Sequence, residues 1–278
     1  MCRWLAYSGG AIALSELIFD TQHSIIDQSL QSRSSVQTTN GDGFGIGWYD
    51  DLASPGMYKN VQPAWNDPNL RDVCIHTRSH LFLAHVRAAT GTAIQQTNCH
   101  PFRHENWLFM HNGAIRDFAR LHRRLLLEID EELFPYLMGG TDSELMFFLA
   151  LHFGLADNAY AGIARMAGFI ERVGRDAGVE HPLQMTLGIS DGEGLFACRY
   201  SSEKSTRTLH VSRDVNAIRD LVPIERRHHF DRVADDARTI VSEPFSDLPE
   251  MWQTIPESTW VSIEHGHIDC QDFVPVSP

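Results

Sequence analysis

The sequence predicts an α+β protein. Strand-like segments fill both ends of the chain, a block with helical periodicity occupies residues 116–175, and the two kinds of segment do not alternate as βαβ units would require. The strand segments are short apolar runs rich in β-branched and aromatic residues. Before the helical block they are Arg3 to Tyr7, Gly43 to Tyr49, Leu81 to Val86 and Trp107 to His111; after it come Met185 to Ser190, Gly194 to Tyr200, Thr208 to Ser212, Thr239 to Ser242 and Trp260 to Glu264. In the block, Arg116 to Ile129 places Phe118, Leu121, Leu125 and Ile129 at helical spacing. Ser143 to Phe153 follows a Thr-Asp-Ser start signal, and Ala159 to Arg175 puts Ile163, Met166, Ile170 and Val173 on one stripe. Strands, then helices, then strands again read as α+β or a layered sandwich. Loops are predicted for 51–72, which carries prolines 55, 63 and 68, and for 223–236 and 244–256. No repeat, low-complexity stretch or Pro/Gly linker divides the chain, so one domain spanning 1–278 is expected.

The 278 residues are 43% hydrophobic and 21% charged, which fits a globular protein and excludes disorder, collagen-like repeats and a small disulfide scaffold. Lys and Arg total 23 against 36 Asp and Glu, a net charge of -13, with no basic run. Neither nucleic acid nor an anionic membrane is therefore expected as a partner. The most apolar stretch, Leu145 to Ala156, falls well short of the roughly 20 residues a bilayer core demands. Arg3 is a lone N-terminal cation and Glu16 interrupts the apolar segment behind it, so no signal peptide is expected. Cys2, Cys74, Cys99, Cys198 and Cys270 are odd in number and lack CxxC spacing, as expected for a reducing compartment, hence a cytoplasmic protein.

Chemistry could lie at several places. Cys2 follows the initiator methionine, and removal of that methionine would leave a thiol beside its own α-amine, whose free pKa of about 8 suits a base. Chance would also place a cysteine there. Four glycines alternate through Gly41, Gly43, Gly45 and Gly47, but a strand follows where a phosphate loop needs a helix, so close backbone approach is the better reading. Arg87 ends an apolar strand, where a guanidinium can grip a carboxylate or join a structural ion pair. Asn112-Gly113 reads as a hairpin-turn dipeptide, yet an Asn amide and a glycine N–H are also oxyanion donors. Asp142 in Gly140-Thr141-Asp142-Ser143-Glu144 opens a helix, as a cap or as a partner for a substrate ammonium.

Taken in order, Cys2, Arg87 in His-Val-Arg-Ala-Ala-Thr, His111-Asn112-Gly113 and Thr141-Asp142-Ser143-Glu144 resemble the glutaminase domain of class II glutamine amidotransferases. The Asp42-Gly43-Phe44-Gly45 turn, Asn98-Cys99-His100-Pro101-Phe102 and Val241-Ser242-Glu243-Pro244 extend the likeness over the whole chain. The family belongs to the N-terminal nucleophile hydrolases, and the resemblance implies their four-layer αββα sandwich. It implies that Cys2 attacks a γ-glutamyl carbonyl with its α-amine relaying the proton, and that Asn112 and the N–H of Gly113 hold the oxyanion. Arg87 would bind the α-carboxylate, Asp142 the α-ammonium, and Thr90 would help position the substrate. A thioester on Cys2 would then be hydrolysed to glutamate, with no cofactor or metal. Gly91 stands where some sugar-phosphate-using relatives carry a histidine, and no synthase region follows, so the chain looks closer to stand-alone γ-glutamyl hydrolases of ergothioneine synthesis and glutathione-type peptides. Its expected partner is a small γ-glutamyl substrate.

Three other readings stay open. The chain could be a glutaminase subunit feeding ammonia to a separate synthase partner, or a silent γ-glutamyl-binding module; association into a homo-oligomer is compatible with each. A metal hydrolase would rest on His265-x-His267 sharing one strand face, without a third ligand at recognisable spacing. The pairs His76/His80, His100/His104 and His228/His229 read as solvated or core hydrogen-bonding residues.

Overall fold

A computed structural model describes residues 2–30, 39–89, 91–214 and 234–278. Two antiparallel sheets lie face to face, with a helical layer on the outside of each. The first has the order β11-β9-β10-β1-β4-β2-β3 and the second β13-β12-β8-β7-β6-β5. In the first, β1 is Arg3–Ala13, β2 Phe44–Trp48, β3 Gly56–Asn60, β4 Arg78–Val86, β9 His210–Ser212, β10 Arg238–Val241 and β11 Trp252–Thr254. In the second, β5 is Phe102–His104, β6 Trp107–Ile115, β7 Leu183–Ser190, β8 Leu195–Ser201, β12 Thr259–Glu264 and β13 His267–Asp272.

The period-two alternation of strand side chains builds the layers. Along β1, Leu5 and Tyr7 face outward with Phe82, Ala84 and Val86 of β4, and meet Ile18, Ile25, Leu70 and Cys74 from α1 (Ser15–Ile18), α2 (Ile25–Leu30) and α3 (Pro68–His76). Trp4 and Ala6, one residue out of step, face inward with Leu81, Leu83, Leu108, Met110 and Val261 to make the apolar interface between the sheets. On the far side, Phe109, Leu187 and Ile189 pack under α4 (Phe118–Leu126), α5 (Asp142–His152) and α6 (Ala159–Asp176) through Leu121, Phe147, Met166 and Ile170. Each fully buried large apolar side chain contributes roughly 1.5–3 kcal/mol. The result is the αββα layering that the resemblance implies. Among the described residues no helix is long and apolar enough to cross a membrane.

Side-chain caps fix the starts of two helices in the outer layer. Thr141 caps α5, its hydroxyl accepting from Glu144 N at 3.1 Å, and Asn158 caps α6 by accepting from Ala161 N at 2.9 Å.

Several expectations are corrected. The segment 51–72, read as a loop, contains β3 and the start of α3, which Asp67 caps ahead of Pro68 in the first turn. The segment 244–256 contains β11, and most of 223–236 lies outside the described residues. Asn112-Gly113 is no hairpin turn: it lies inside β6, paired with Thr186 and Met185 of β7. His265 sits in the turn between β12 and β13 with φ 49°, so it does not share a strand with His267. His100 is not solvated: it is buried, among the described residues both ring nitrogens lack hydrogen-bond partners, and its ring lies tilted against that of His85 with centroids 4.2 Å apart.

Candidate functional site

Strand register assembles the site at one end of the sandwich. In the antiparallel β1–β4 pair Arg3 stands opposite Val86, so Cys2 continues the register opposite Arg87, on the inward face. In the β1–β10 pair Leu5 stands opposite Val241, and the same register brings Glu243 beside Arg3. From the facing sheet, the alternation that turns Leu108 and Met110 inward also turns Asn112 inward.

These residues converge on Cys2. Its half-buried thiol donates to Ala88 O at 3.5 Å and accepts from Ala88 N at 3.4 Å. Its carbonyl accepts from Asn112 Nδ2 and from Arg3 Nη1, each at 2.9 Å. Arg3 is itself buried and ion-paired with Glu243, while Ser242 N donates to Trp4 O at 3.1 Å and Trp4 N to Ser242 Oγ at 3.1 Å. Burial pushes the Cys2 thiol above its ordinary range; the bond from Ala88 and the charges of Arg87 and Arg3 act against that without overturning it. The thiol is thus protonated near neutral pH and needs a base to react.

Arg87 is 4% exposed. Its guanidinium donates to Thr92 Oγ1 at 2.6 Å and to the carbonyls of Asp42 and Ala93, both at 3.3 Å. All three hydrogen-bond partners among the described residues are neutral oxygens, so no carboxylate there is hydrogen-bonded to it. Asp42 instead uses its own carboxylate to accept from Ala89 N at 2.8 Å, which holds the turn after β4.

Asn112 has its carbonyl bound by Thr186 Oγ1 at 3.2 Å, and Thr186 Oγ1 in turn accepts from Trp4 Nε1 at 3.2 Å. A side-chain amide has two N–H donors, so the one given to Cys2 leaves a second. Gly113 is required by space: a Cβ there would stand 2.0 Å from Gln184 O and 2.6 Å from His111 Nε2, and its φ is 156°. Asp142 opens α5 and joins it to the end of β6, accepting from Ile115 N at 2.9 Å and Ser143 N at 2.8 Å. Behind it, His111 Nε2 donates to Gln184 O at 3.2 Å, which leaves Nδ1 to accept from the Ser143 hydroxyl at 2.8 Å. Burial lowers the His111 pKa, with Asp142 acting the other way.

The structure thus brings Cys2, Arg87 and Asn112 together at one end of the sandwich, across its two sheets, and sets Gly113 and Asp142 at the close of β6 and the start of α5. Thr90 lies outside the described residues. Sequence reasoning assigned no role to Arg3, Glu243 or Asn98, although Glu243 belongs to the Val241-Ser242-Glu243-Pro244 motif; an arginine directly after Cys2 was the available signal. Among the described residues no group of His, Cys, Asp and Glu could hold a metal ion.

Comparison with known proteins gives the family and the fold. Residues 13–276 match the family described as glutamine amidotransferases class-II. The probable glutamine amidotransferase DUG3 of Saccharomyces cerevisiae is 31% identical over 293 residues, covering 95% of this chain and 82% of that protein. The gamma-glutamyl-hercynylcysteine sulfoxide hydrolase of Mycolicibacterium smegmatis is 25% identical over 272 residues, covering 96% and 98%. A solved glutamine aminotransferase class-II domain protein from silicibacter pomeroyi superimposes with a TM-score of 0.74 at 30% identity, over 99% of this chain and 100% of that one. With the family matched over residues 13–276 and the αββα sandwich shared with its solved relative, this chain belongs to the class II glutamine amidotransferases.

Proposed function

We propose that this protein hydrolyses a γ-glutamyl amide, glutamine or a γ-glutamyl compound, through a thioester on Cys2 and releases glutamate. The observation that carries the reading is Arg87: a buried guanidinium whose hydrogen-bond partners among the described residues are all neutral, one position beyond the Arg3–Val86 pair and so beside Cys2. It suits the α-carboxylate of an amino-acid head, with Asp142 receiving the α-ammonium and Thr90 helping to position the group.

With the preceding methionine removed, the α-amine of Cys2 takes the thiol proton as sulfur attacks the γ-carbonyl. A cysteine thiol is mostly protonated near neutral pH, which gives this base its purpose. The second N–H of Asn112 and the N–H of Gly113 hold the oxyanion. The amine then passes its proton to the departing nitrogen, the C–N bond breaks, and a water molecule cleaves the thioester to glutamate and free thiol. No cofactor takes part. The names of the relatives support this substrate class, since one is a gamma-glutamyl hydrolase and another a probable glutamine amidotransferase. The five free cysteines suit a reducing, cytoplasmic setting, and the whole chain is taken as one catalytic unit.

The test is glutamate release by Met-processed protein from glutamine and from a set of γ-glutamyl peptides. Preference for a peptide is expected. Preference for glutamine would favour a subunit that feeds ammonia to a synthase, and binding without turnover would leave a γ-glutamyl-binding module.

A further inference from the structure

The two charges that would read an amino-acid head sit on different segments, and a buried amide ties those segments together. Asn98, 1% exposed, precedes β5. Its Nδ2 donates to Ala93 O at 2.9 Å, the same carbonyl that receives Arg87 Nη2 at 3.3 Å. Its Oδ1 accepts from Gly140 N at 2.9 Å, two residues before Asp142. Glu144 holds the same segment from the other side, accepting from Met138 N at 3.1 Å and Gly139 N at 2.6 Å. The fit is close: a Cβ on Gly139 would stand 2.5 Å from Asn98 Oδ1 and 2.7 Å from Glu144 Oε2.

The geometry points to Asn98 as a positioning residue that fixes the spacing between Arg87 and Asp142, and so makes the protein selective for substrates carrying both an α-carboxylate and an α-ammonium. The inference rests on the proposed reading of Arg87 and Asp142. An α-amino acid presents its two charges at a fixed separation, so a receptor whose charges sit on independently mobile segments loses affinity and discrimination together. Asn98 touches no substrate atom in this role; it acts through Ala93 and Gly140.

The experiment compares wild type, Asn98→Ala and Asn98→Asp, with thermal unfolding confirming that each is folded. Asn98→Asp preserves the side-chain volume and an acceptor for Gly140 N but offers no N–H to Ala93 when ionised. Each is assayed on glutamine or the best γ-glutamyl peptide and on the matching analogue without the α-amine. Both variants are expected to raise KM by about tenfold or more with kcat changed less than about threefold, and to shrink the preference for the α-amine by about tenfold. An equal loss on both substrates, or a KM change below about threefold, overturns the inference. Calorimetric binding of glutamate in a Cys2→Ala background gives a second readout: Kd should rise about tenfold on adding Asn98→Ala, and an unchanged Kd overturns the inference. If wild type releases no glutamate from any γ-glutamyl substrate yet Asn98 still governs glutamate affinity, the hydrolase reading fails and the role of Asn98 stands.

Discussion

Glu243 lies beside Arg3 in the register of the first sheet, both are buried, and the guanidinium that Glu243 holds also donates to the carbonyl of Cys2 at 2.9 Å. An ion pair inside the protein is thus built into the backbone of the candidate nucleophile. Removing one member of a buried pair costs about 3–5 kcal/mol because the other loses its countercharge. Glu243→Gln keeps the shape and removes the charge, so it should lower stability by an amount toward the bottom of that range in urea denaturation. It should also slow glutamate release, because Cys2 shifts against Ala88. A variant with native stability and native rate would show the pair to be incidental.

Asn112 reaches Cys2 from the opposite sheet. Asn112→Ala is expected to reduce kcat by about 10²–10³-fold if its free N–H meets the oxyanion. Steady-state kinetics on the best γ-glutamyl substrate decides this, and a loss below about threefold would leave Asn112 with only its bond to the Cys2 carbonyl.

Gly113 has no room for a methyl group: the nearest atoms belong to the Gln184 carbonyl, which is backbone and cannot swing aside. Gly113→Ala should cost about 3 kcal/mol, read as a fall in Tm, with β6 displaced from β7. Gly140→Ala, where a Cβ would meet nothing within 4 Å, should leave Tm nearly unchanged and serves as the comparison.

Acid should destabilise the protein below about pH 6.5 through its buried imidazoles. Burial, with smaller contributions from the charges of Arg87 and His111, pushes His85 down to about 3, and burial takes His100 well below its usual value. Among the described residues neither ring nitrogen of His100 has a hydrogen-bond partner. In the unfolded chain both take up a proton near pH 6.5, while the folded chain holds them neutral. Between the two values the unfolded state binds more protons, so stability rises with pH and is lost as pH falls from about 6.5 toward 3. Each histidine adds a slope of about 1.4 kcal/mol per pH unit. Urea midpoints at pH 7.5, 6 and 5 measure this, and His100→Phe, which keeps an aromatic ring against His85 and Phe102, should flatten the curve. An unaltered slope in that variant would place the acid sensitivity elsewhere.

Strand elements were legible wherever alternation is strong. Leu81 to Val86 and Trp107 to His111 alternate between two buried faces, and the structure extends these strands to Arg78–Val86 and Trp107–Ile115. The helices over 118–126, 142–152 and 159–176 were legible from caps and periodicity. What was misread has local causes. The start of α3 hid in a segment rich in proline, although Asp67-Pro68 is itself a helix-start signal. Asn112-Gly113 looked like a turn because the dipeptide favours one. Only the β7 partner, distant in sequence, keeps it extended.

The sequence by itself determined the α+β class, the long strands and the three helices of 116–176, and the residue types of the candidate site: a thiol at Cys2, a guanidinium at Arg87, an amide at Asn112 and a carboxylate at Asp142; it did not show α1 to α3 or the short strands β3, β5, β11 and β13. The elements follow from hydrophobic period, which is local, and the site residues from the ordered motifs by which the chain resembles its family. The tertiary structure alone decided that Cys2 meets Ala88 beyond the Arg3–Val86 pair, that Arg3, held by Glu243, anchors its carbonyl, and that Asn98 links Ala93 to Gly140. These contacts join residues up to 240 positions apart through strand register and sheet stacking, and no local pattern in the chain encodes which distant strands will pair.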